Sequence, residues 1–292
     1  MGLRKNGDGF KNSILPEGRQ YIREKWGNTM KKLTLVLAVS ILCIMAGSGC
    51  GGKKPEFSPE ATTSDENLFK QGEKYVKKDP ERARLFFRQV IDSYPKSFYA
   101  QQAKVAIADS YFQRRDEGNM IIAASEYREF ISLFPFSPSA PYAQYQIAMT
   151  FYKRTYKPGR DQTKTKQALE EFKKVVTNYP TSEEAKSAQE KISDCEDRLA
   201  AHSLHIGVHY YRVKAFNASI NRLTEILTNF PNFSKMDRVY YYLGNCFYKG
   251  KLFDQSIPYF TKLISDFPKS KFAKKAQKKL KEIEKQKQEE KK

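Results

Sequence analysis

The sequence predicts an all-α chain folded as a solenoid of about five helical hairpins. Composition is the first reason: 292 residues hold only 13 Pro and 15 Gly against 18 Tyr and 20 Phe, with long stretches of Ala, Lys, Glu, Leu and Gln that favour helix over sheet. The second is a recurring aromatic-Pro-x-Ser tetrapeptide: Tyr94-Pro95-Lys96-Ser97, Phe134-Pro135-Phe136-Ser137, Tyr179-Pro180-Thr181-Ser182 and Phe267-Pro268-Lys269-Ser270, with a looser fifth copy at Phe230-Pro231-Asn232-Phe233-Ser234. Proline cannot continue a helix and serine is a good N-cap, so each copy ends one helix and starts the next. The third is a repeated signature upstream: Ile107-Ala108-Asp109-Ser110-Tyr111-Phe112, Ile147-Ala148-Met149-Thr150-Phe151-Tyr152, Ile206-Gly207-Val208-His209-Tyr210-Tyr211 and Leu243-Gly244-Asn245-Cys246-Phe247-Tyr248, with a weaker form at Gln71-Gly72-Glu73-Lys74-Tyr75.

These elements share one phase. Eight residues before each proline stands a large side chain (Phe87, Tyr127, Phe172, Leu223, Phe260), and twelve before it a small one (Ala83, Ala123, Ala168, Ser219, Ser256). Positions four apart share a helix face, so the small residue admits a neighbouring helix while the large one fills the gap beside it. The small, aromatic and proline positions resemble the tetratricopeptide consensus, five times in phase.

From the N-terminus, residues 1–29 read as a mis-called start or a disordered extension ahead of a complete signal sequence. Residues 30–49 are the signal: Lys31 and Lys32 precede an apolar run from Leu33 to Ala46, too short to span a bilayer comfortably. Gly47, Ser48 and Gly49 before Cys50 resemble a lipobox, with Gly47 where an aliphatic residue is usual; Cys50 would carry the lipid, and residues 50–65 a tether. Residues 66–182 form a three-hairpin N-terminal block. The third hairpin is eight residues longer than the others and places them in a polar loop, Lys157 to Lys164. Between Pro180 and Gly207 there is a surplus of about four helical turns, which predicts one long helix near Glu183 to Tyr211. That helix opens a C-terminal part, 183–292, with two hairpins and a lysine-rich capping helix.

Function classes narrow in the same way. The net charge is +19, but the N-terminal 49 residues and the tail from Lys271 account for much of it, and the rest is diffuse, with no stripe of the kind nucleic acid requires. His202, His205 and His209 share a helical stripe, yet the outer two lie about 10 Å apart along the axis, so at most a pair could share a metal ion; His209 occupies the packing slot held by Ser110, Thr150 and Cys246. Cys43, Cys50, Cys195 and Cys246 form no CxxC pair; a Cys195–Cys246 disulfide has no framework spacing behind it, and Cys246 reads as packing. No GxSxG, HExxH or phosphate-cradling loop occurs, and acidic residues such as Glu170 and Glu171 read as solvated helix faces. The reading is a non-catalytic scaffold without metal or cofactor. Tyr99, Tyr142 and Tyr145 fall on first helices, which line the concave face of such solenoids and suit an extended peptide, although core packing serves each of them equally well.

A lipid-modifiable cysteine, a tether, five repeats and a long interblock helix together resemble the BamD family, the lipoprotein subunit of the outer-membrane β-barrel assembly machinery. The loop Arg160-Asp161-Gln162, followed by Ala168, Phe172 and Tyr179-Pro180, looks like that family's segment in particular. The resemblance covers about Glu66 to Leu280. It implies a lipid-anchored protein on the periplasmic face of the outer membrane, whose partners are unfolded outer-membrane protein segments, the barrel-forming assembly subunit and other assembly lipoproteins. It also implies that the N-terminal block meets substrate and the C-terminal block meets the barrel-forming partner. In that contact an Asn-Arg pair matches Asn221-Arg222; from the residues alone Arg222 is equally a solvated charge. The alternative is another periplasmic scaffold of the same repeats, serving cell division or polysaccharide export, though such proteins usually add a coiled coil or a further domain.

Overall fold

A computed structural model describes residues 64–289 of the chain. The described residues form eleven helices and no strand. They are α1 (Asp65–Tyr75), α2 (Pro80–Ser93), α3 (Phe98–Phe112), α4 (Glu117–Leu133), α5 (Ala140–Tyr152), α6 (Thr163–Asn178), α7 (Glu183–Arg212), α8 (Phe216–Asn229), α9 (Met236–Lys249), α10 (Phe253–Asp266) and α11 (Lys271–Glu289). Each packs against the next in chain order, which is the tetratricopeptide solenoid. The signal, Cys50 and nearly all of the tether lie outside the described residues.

Every hairpin is closed by the same fit. The ring of Phe87 on α2 lies so close to Gly72 on α1 that a Cβ added there would come within 2.5 Å of it; Leu223 approaches Gly207 to 2.6 Å in the same sense, and Phe260 approaches Gly244 to 2.5 Å. In the second and third hairpins alanine suffices: Ala108 packs with Tyr127, and Ala148 with Phe172, all fully buried. The small residues four positions earlier, Ala83, Ala123, Ala168, Ser219 and Ser256, are buried as well. Serine is tolerated in that slot because its hydroxyl finds a carbonyl: Ser219 Oγ donates to Gly207 O at 2.8 Å, and Ser256 Oγ to Phe253 O at 2.9 Å.

The proline turns are equally regular. The amide of each motif aromatic makes the last helical bond, from Tyr94 to Val90 (2.9 Å), Phe134 to Phe130 (2.8 Å), Tyr179 to Val175 (2.9 Å), Phe230 to Ile226 (2.9 Å) and Phe267 to Leu263 (3.1 Å). The residue before proline is pushed out of the helical region, and the aromatic carbonyl then accepts the amide of Ser97, Ser137, Ser182 or Ser270 across the turn. Ser97, Ser182 and Ser270 turn their hydroxyls to the next helix, accepting from the amides of Tyr99 (3.0 Å), Ala185 (3.1 Å) and Phe272 (3.1 Å). Two expected caps differ. Ser137 is followed by Pro138 and Ser139, so α5 starts two residues later with Ser139 at its N-cap and without a side-chain cap bond. In the looser copy at Phe230–Ser234, Phe233 takes the turn bond at 3.1 Å and is buried, so α9 begins only at Met236 and the Ser234 amide bonds Asp197 Oδ1 at 2.7 Å.

Helix α7 is 30 residues long, about 45 Å at the helical rise. Its N-terminal half gives Ala188, Ile192 and Cys195 to the core under α5 and α6, and its C-terminal half gives Ala200, Leu204 and Val208 to the core shared with α8 to α11. It is therefore the last layer of one block and the first helix of the next hairpin. At the far end, α11 buries Phe272, Ala273, Ala276 and Ile283 and leaves most of its lysines outside.

Phe260→Ala is expected to lower unfolding stability by about 3–5 kcal/mol, as removal of a fully buried ring does, whereas Lys274→Ala stays within about 0.5 kcal/mol. Urea unfolding followed by far-UV circular dichroism measures both.

Candidate functional site

The three first-helix tyrosines are all half-buried. Tyr99, in the first turn of α3, sets its ring 5.6 Å from Phe69 and 5.9 Å from Phe98. Tyr145 on α5 leans on Phe172 at 5.5 Å. Tyr142 meets Tyr127 edge to face at 6.4 Å, and its hydroxyl donates to Asp109 Oδ1 at 2.9 Å. Tyr99 and Tyr142 thus pack across neighbouring hairpins and Tyr145 within the third, and each ring stays partly exposed.

Asp109 is a group that the sequence reading missed. It stands on α3 and accepts the phenol O–H of Tyr127 from α4 as well as that of Tyr142 from α5, joining three successive helices at one carboxylate. Burial pushes its carboxyl above the usual range, and the two phenol bonds pull it only part of the way back. Both phenols are raised in turn, by burial first and then by the carboxylate beside them. The available signal was a carboxylate at a signature position filled by Met149, Val208 and Asn245 in the other copies.

Glu171 also departs from expectation. Its side chain is only 12% exposed, in contrast to the solvated face predicted for it, while Glu170 is exposed. Glu171 accepts from Gln144 Nε2 at 2.8 Å and pairs with Lys174 at 3.1 Å and Arg128 at 3.5 Å, linking α4, α5 and α6. An acid can lie there because two cations and an amide meet it.

The loop of the third hairpin folds around Gln162, which is buried: its amide donates to the carbonyls of Lys157 (3.1 Å) and Arg160 (3.0 Å), and its oxygen accepts from Thr165 Oγ1 (2.8 Å). Asp161 starts α6 by accepting from the amide and hydroxyl of Thr163, and Arg160 is exposed. The loop docks on α7, where His202 Nδ1 donates to Pro158 O at 2.6 Å and Gly159 lies against the His205 ring. Two of the three histidines thus serve this contact. His209 is exposed, a correction to the packing slot expected of it. Ser110 and Cys246 in that slot meet Arg84 and Ser219 of the preceding hairpin, whereas on α7 the third hairpin's loop meets His202 and His205, short of His209. Among the described residues no group of three or more His, Cys, Asp or Glu is placed to hold a metal ion.

Asn221 is exposed on α8; Arg222 beside it is 40% exposed and pairs with Glu225 at 2.8 Å within the same helix. Cys195 and Cys246 are free and buried, the first in the α5–α7 core and the second donating to Ser219 Oγ at 3.3 Å. Burial pushes the Cys195 thiol up to about 12 and raises that of Cys246, so neither is poised to ionise.

Set beside known proteins, residues 61–249 match the family model described as YfiO, outer membrane lipoprotein, and residues 238–270 match a tetratricopeptide repeat. The chain belongs to the YfiO family. It is similar to the outer membrane protein assembly factor BamD of Caulobacter vibrioides, 30% identical over 196 residues that cover 66% of this chain and 63% of that one. The BamD of Rickettsia prowazekii is 28% identical over 209 residues, covering 68% of this chain and 78% of that one. The match therefore spans less than two thirds of the Caulobacter protein's own length. The yeast Sti1 TPR2AB domain in its pHSP90 complex is 15% identical, with TM-score 0.40 over 75% of this chain and 84% of that one, a likeness too distant to carry an argument. The YfiO match takes in the Arg160–Gln162 loop, the whole of α7 and the Asn221-Arg222 pair.

In this YfiO-family chain the Asp109 carboxyl gives a testable pH dependence. The fold holds that proton above about pH 4, where the unfolded chain releases it, so its contribution to stability is full below about pH 4 and is lost as pH rises through the raised native value. Relative to Asp109→Asn, the melting temperature of the wild type should therefore fall as pH is raised from about 4 toward 7; a constant difference measured by calorimetry would contradict this.

Proposed function

We propose that the chain is a non-catalytic scaffold subunit of the outer-membrane β-barrel assembly machinery. Acyl chains on Cys50 anchor it at the periplasmic face of the outer membrane, after removal of a signal within residues 30–49. The observation that carries this reading is the YfiO match across the first four hairpins and the first helix of the fifth, together with relatives that bear the name assembly factor.

The reading assigns two contacts to this chain. First, the barrel-forming subunit docks on α8 through Asn221 and Arg222. The single exposed pair between Arg222 and Glu225 is worth about 0.2–1 kcal/mol, so the guanidinium can be recruited by a partner carboxylate at little cost. Second, unfolded outer-membrane protein segments lie along the first helices of the N-terminal block against the exposed parts of Tyr99, Tyr142 and Tyr145. Rings already held by Phe69, Asp109 and Phe172 lose little further freedom on binding. The loop Arg160-Asp161-Gln162 acts between the two as a structural clasp on α7.

Tagged wild-type protein should recover a large barrel protein with periplasmic repeat domains from detergent-solubilised outer membrane. Arg222→Glu should reduce that recovery about tenfold or more, as charge reversal at a paired contact does. Recovery of division or polysaccharide-export proteins without a barrel partner would sink the reading.

A further inference from the structure

The proline turns are five copies of one motif, yet only two of them expose large apolar side chains. Tyr94 (38%) and Phe98 (65%) flank the first turn, and Leu133 (53%) and Phe136 (99%) the second. Phe136 fills a position held by Lys96, Thr181 and Lys269 in other copies, and Phe98 one held by Glu183 and Lys271. At the remaining three turns the described residues include no exposed large hydrophobic. The two turns also sit together. Lys104 on α3 pairs with Glu129 on α4, and that antiparallel register, carried six residues further, brings Phe98 level with Pro135 and Phe136. The entry of the chain is on the same edge: Ser97 Oγ donates to the Asp65 carboxylate, one residue after the start of the described chain. From Cys50 to Ser64 the chain can reach at most about 50 Å.

We propose that this edge, with Phe98 and Phe136 at its crest, is a second membrane contact, seated in the interfacial region of the bilayer that carries the lipid anchor. The inference rests on the anchor proposed at Cys50. Rings are exposed on the edge to which the tether is bonded, and Lys96, exposed in the first of the two turns, is available for headgroup phosphates. Exposed aromatics with a cation beside them suit the boundary between headgroups and acyl chains. Two points of attachment, one covalent and one apolar, would fix which way the solenoid hangs from the membrane, something a tether alone cannot do.

The test uses the lipidated protein that begins at Cys50; the one tryptophan of the sequence, Trp26, is removed with the signal, so an introduced tryptophan is the only one. It is reconstituted into phosphatidylethanolamine–phosphatidylglycerol vesicles with acyl chains brominated near the headgroup. Phe136→Trp and, separately, Phe98→Trp should show blue-shifted emission and lose about half or more of it to bromine, because interfacial side chains lie about 5–10 Å deep. Leu252→Trp, on an exposed loop of the C-terminal block, should show neither effect. Protein that floats with the vesicles while the Phe136→Trp and Phe98→Trp variants stay unquenched overturns this contact and leaves the anchor standing. Quenching that stays absent, with a blue shift only when the barrel-forming subunit is added, overturns it in favour of a protein contact. Failure to float removes the anchor at Cys50 and this inference with it.

Discussion

A large side chain seated on a residue with almost no side chain is the contact on which the rest of the molecule depends. In the first, fourth and fifth hairpins the seat is a glycine that a Cβ would overfill, and in the other two it is alanine. The fit brings the two helices of each hairpin to backbone distance and sets their register, because each ring or branched side chain seats on the small residue that faces it. Once that register is set, the proline turn falls at the same height in every copy and the next hairpin has a defined surface to pack on. The repeated turn bonds from the aromatic carbonyl follow from this regularity.

Against that regular background α7 stands out because one helix belongs to two cores. A solenoid with a flexible link at this point would have two blocks free to reorient. Here the N-terminal half of α7 is buried under α6 and its C-terminal half under α8, so bending between the blocks would require an unbroken helix to deform. The docked loop, held by Gln162 from within and by His202 on α7, braces the same junction. The residues proposed to meet substrate and those proposed to meet the barrel-forming partner thus lie on one continuous frame.

The two blocks achieve cohesion differently. The apolar core around Leu204, Leu223, Phe260 and Ile283 runs through the whole C-terminal part. The N-terminal block divides its apolar side chains among smaller clusters and bridges them with polar groups, Asp109 under two phenols and Glu171 under Gln144, Arg128 and Lys174. Polar bridges specify geometry at a cost in desolvation, which is why burial raises the Asp109 carboxyl.

How much of this was legible in the sequence depended on whether a feature is decided along the chain or across it. The hairpin count, the large and small positions, the long helix and the caps at Ser97, Ser182 and Ser270 are all set by side-chain size and backbone preference within a few residues, so spacing alone determined them. The same local rule failed at Ser137 and Ser234, where Pro138 and the buried Phe233 shift the helix start. It failed at His209, whose slot in the repeat is a packing slot only where the preceding hairpin reaches it. Glu171 and Asp109 were unreadable for the same reason: nothing next to them in the chain announces the amide, cations and phenols that arrive from other helices. The exposed edge at Phe98 and Phe136 was hidden too, since aromatic residues in this sequence are mostly core. Sequence by itself determined the repeat and its punctuation; only the tertiary structure decided which side chains of each repeat find a neighbour, because that depends on what the next hairpin covers.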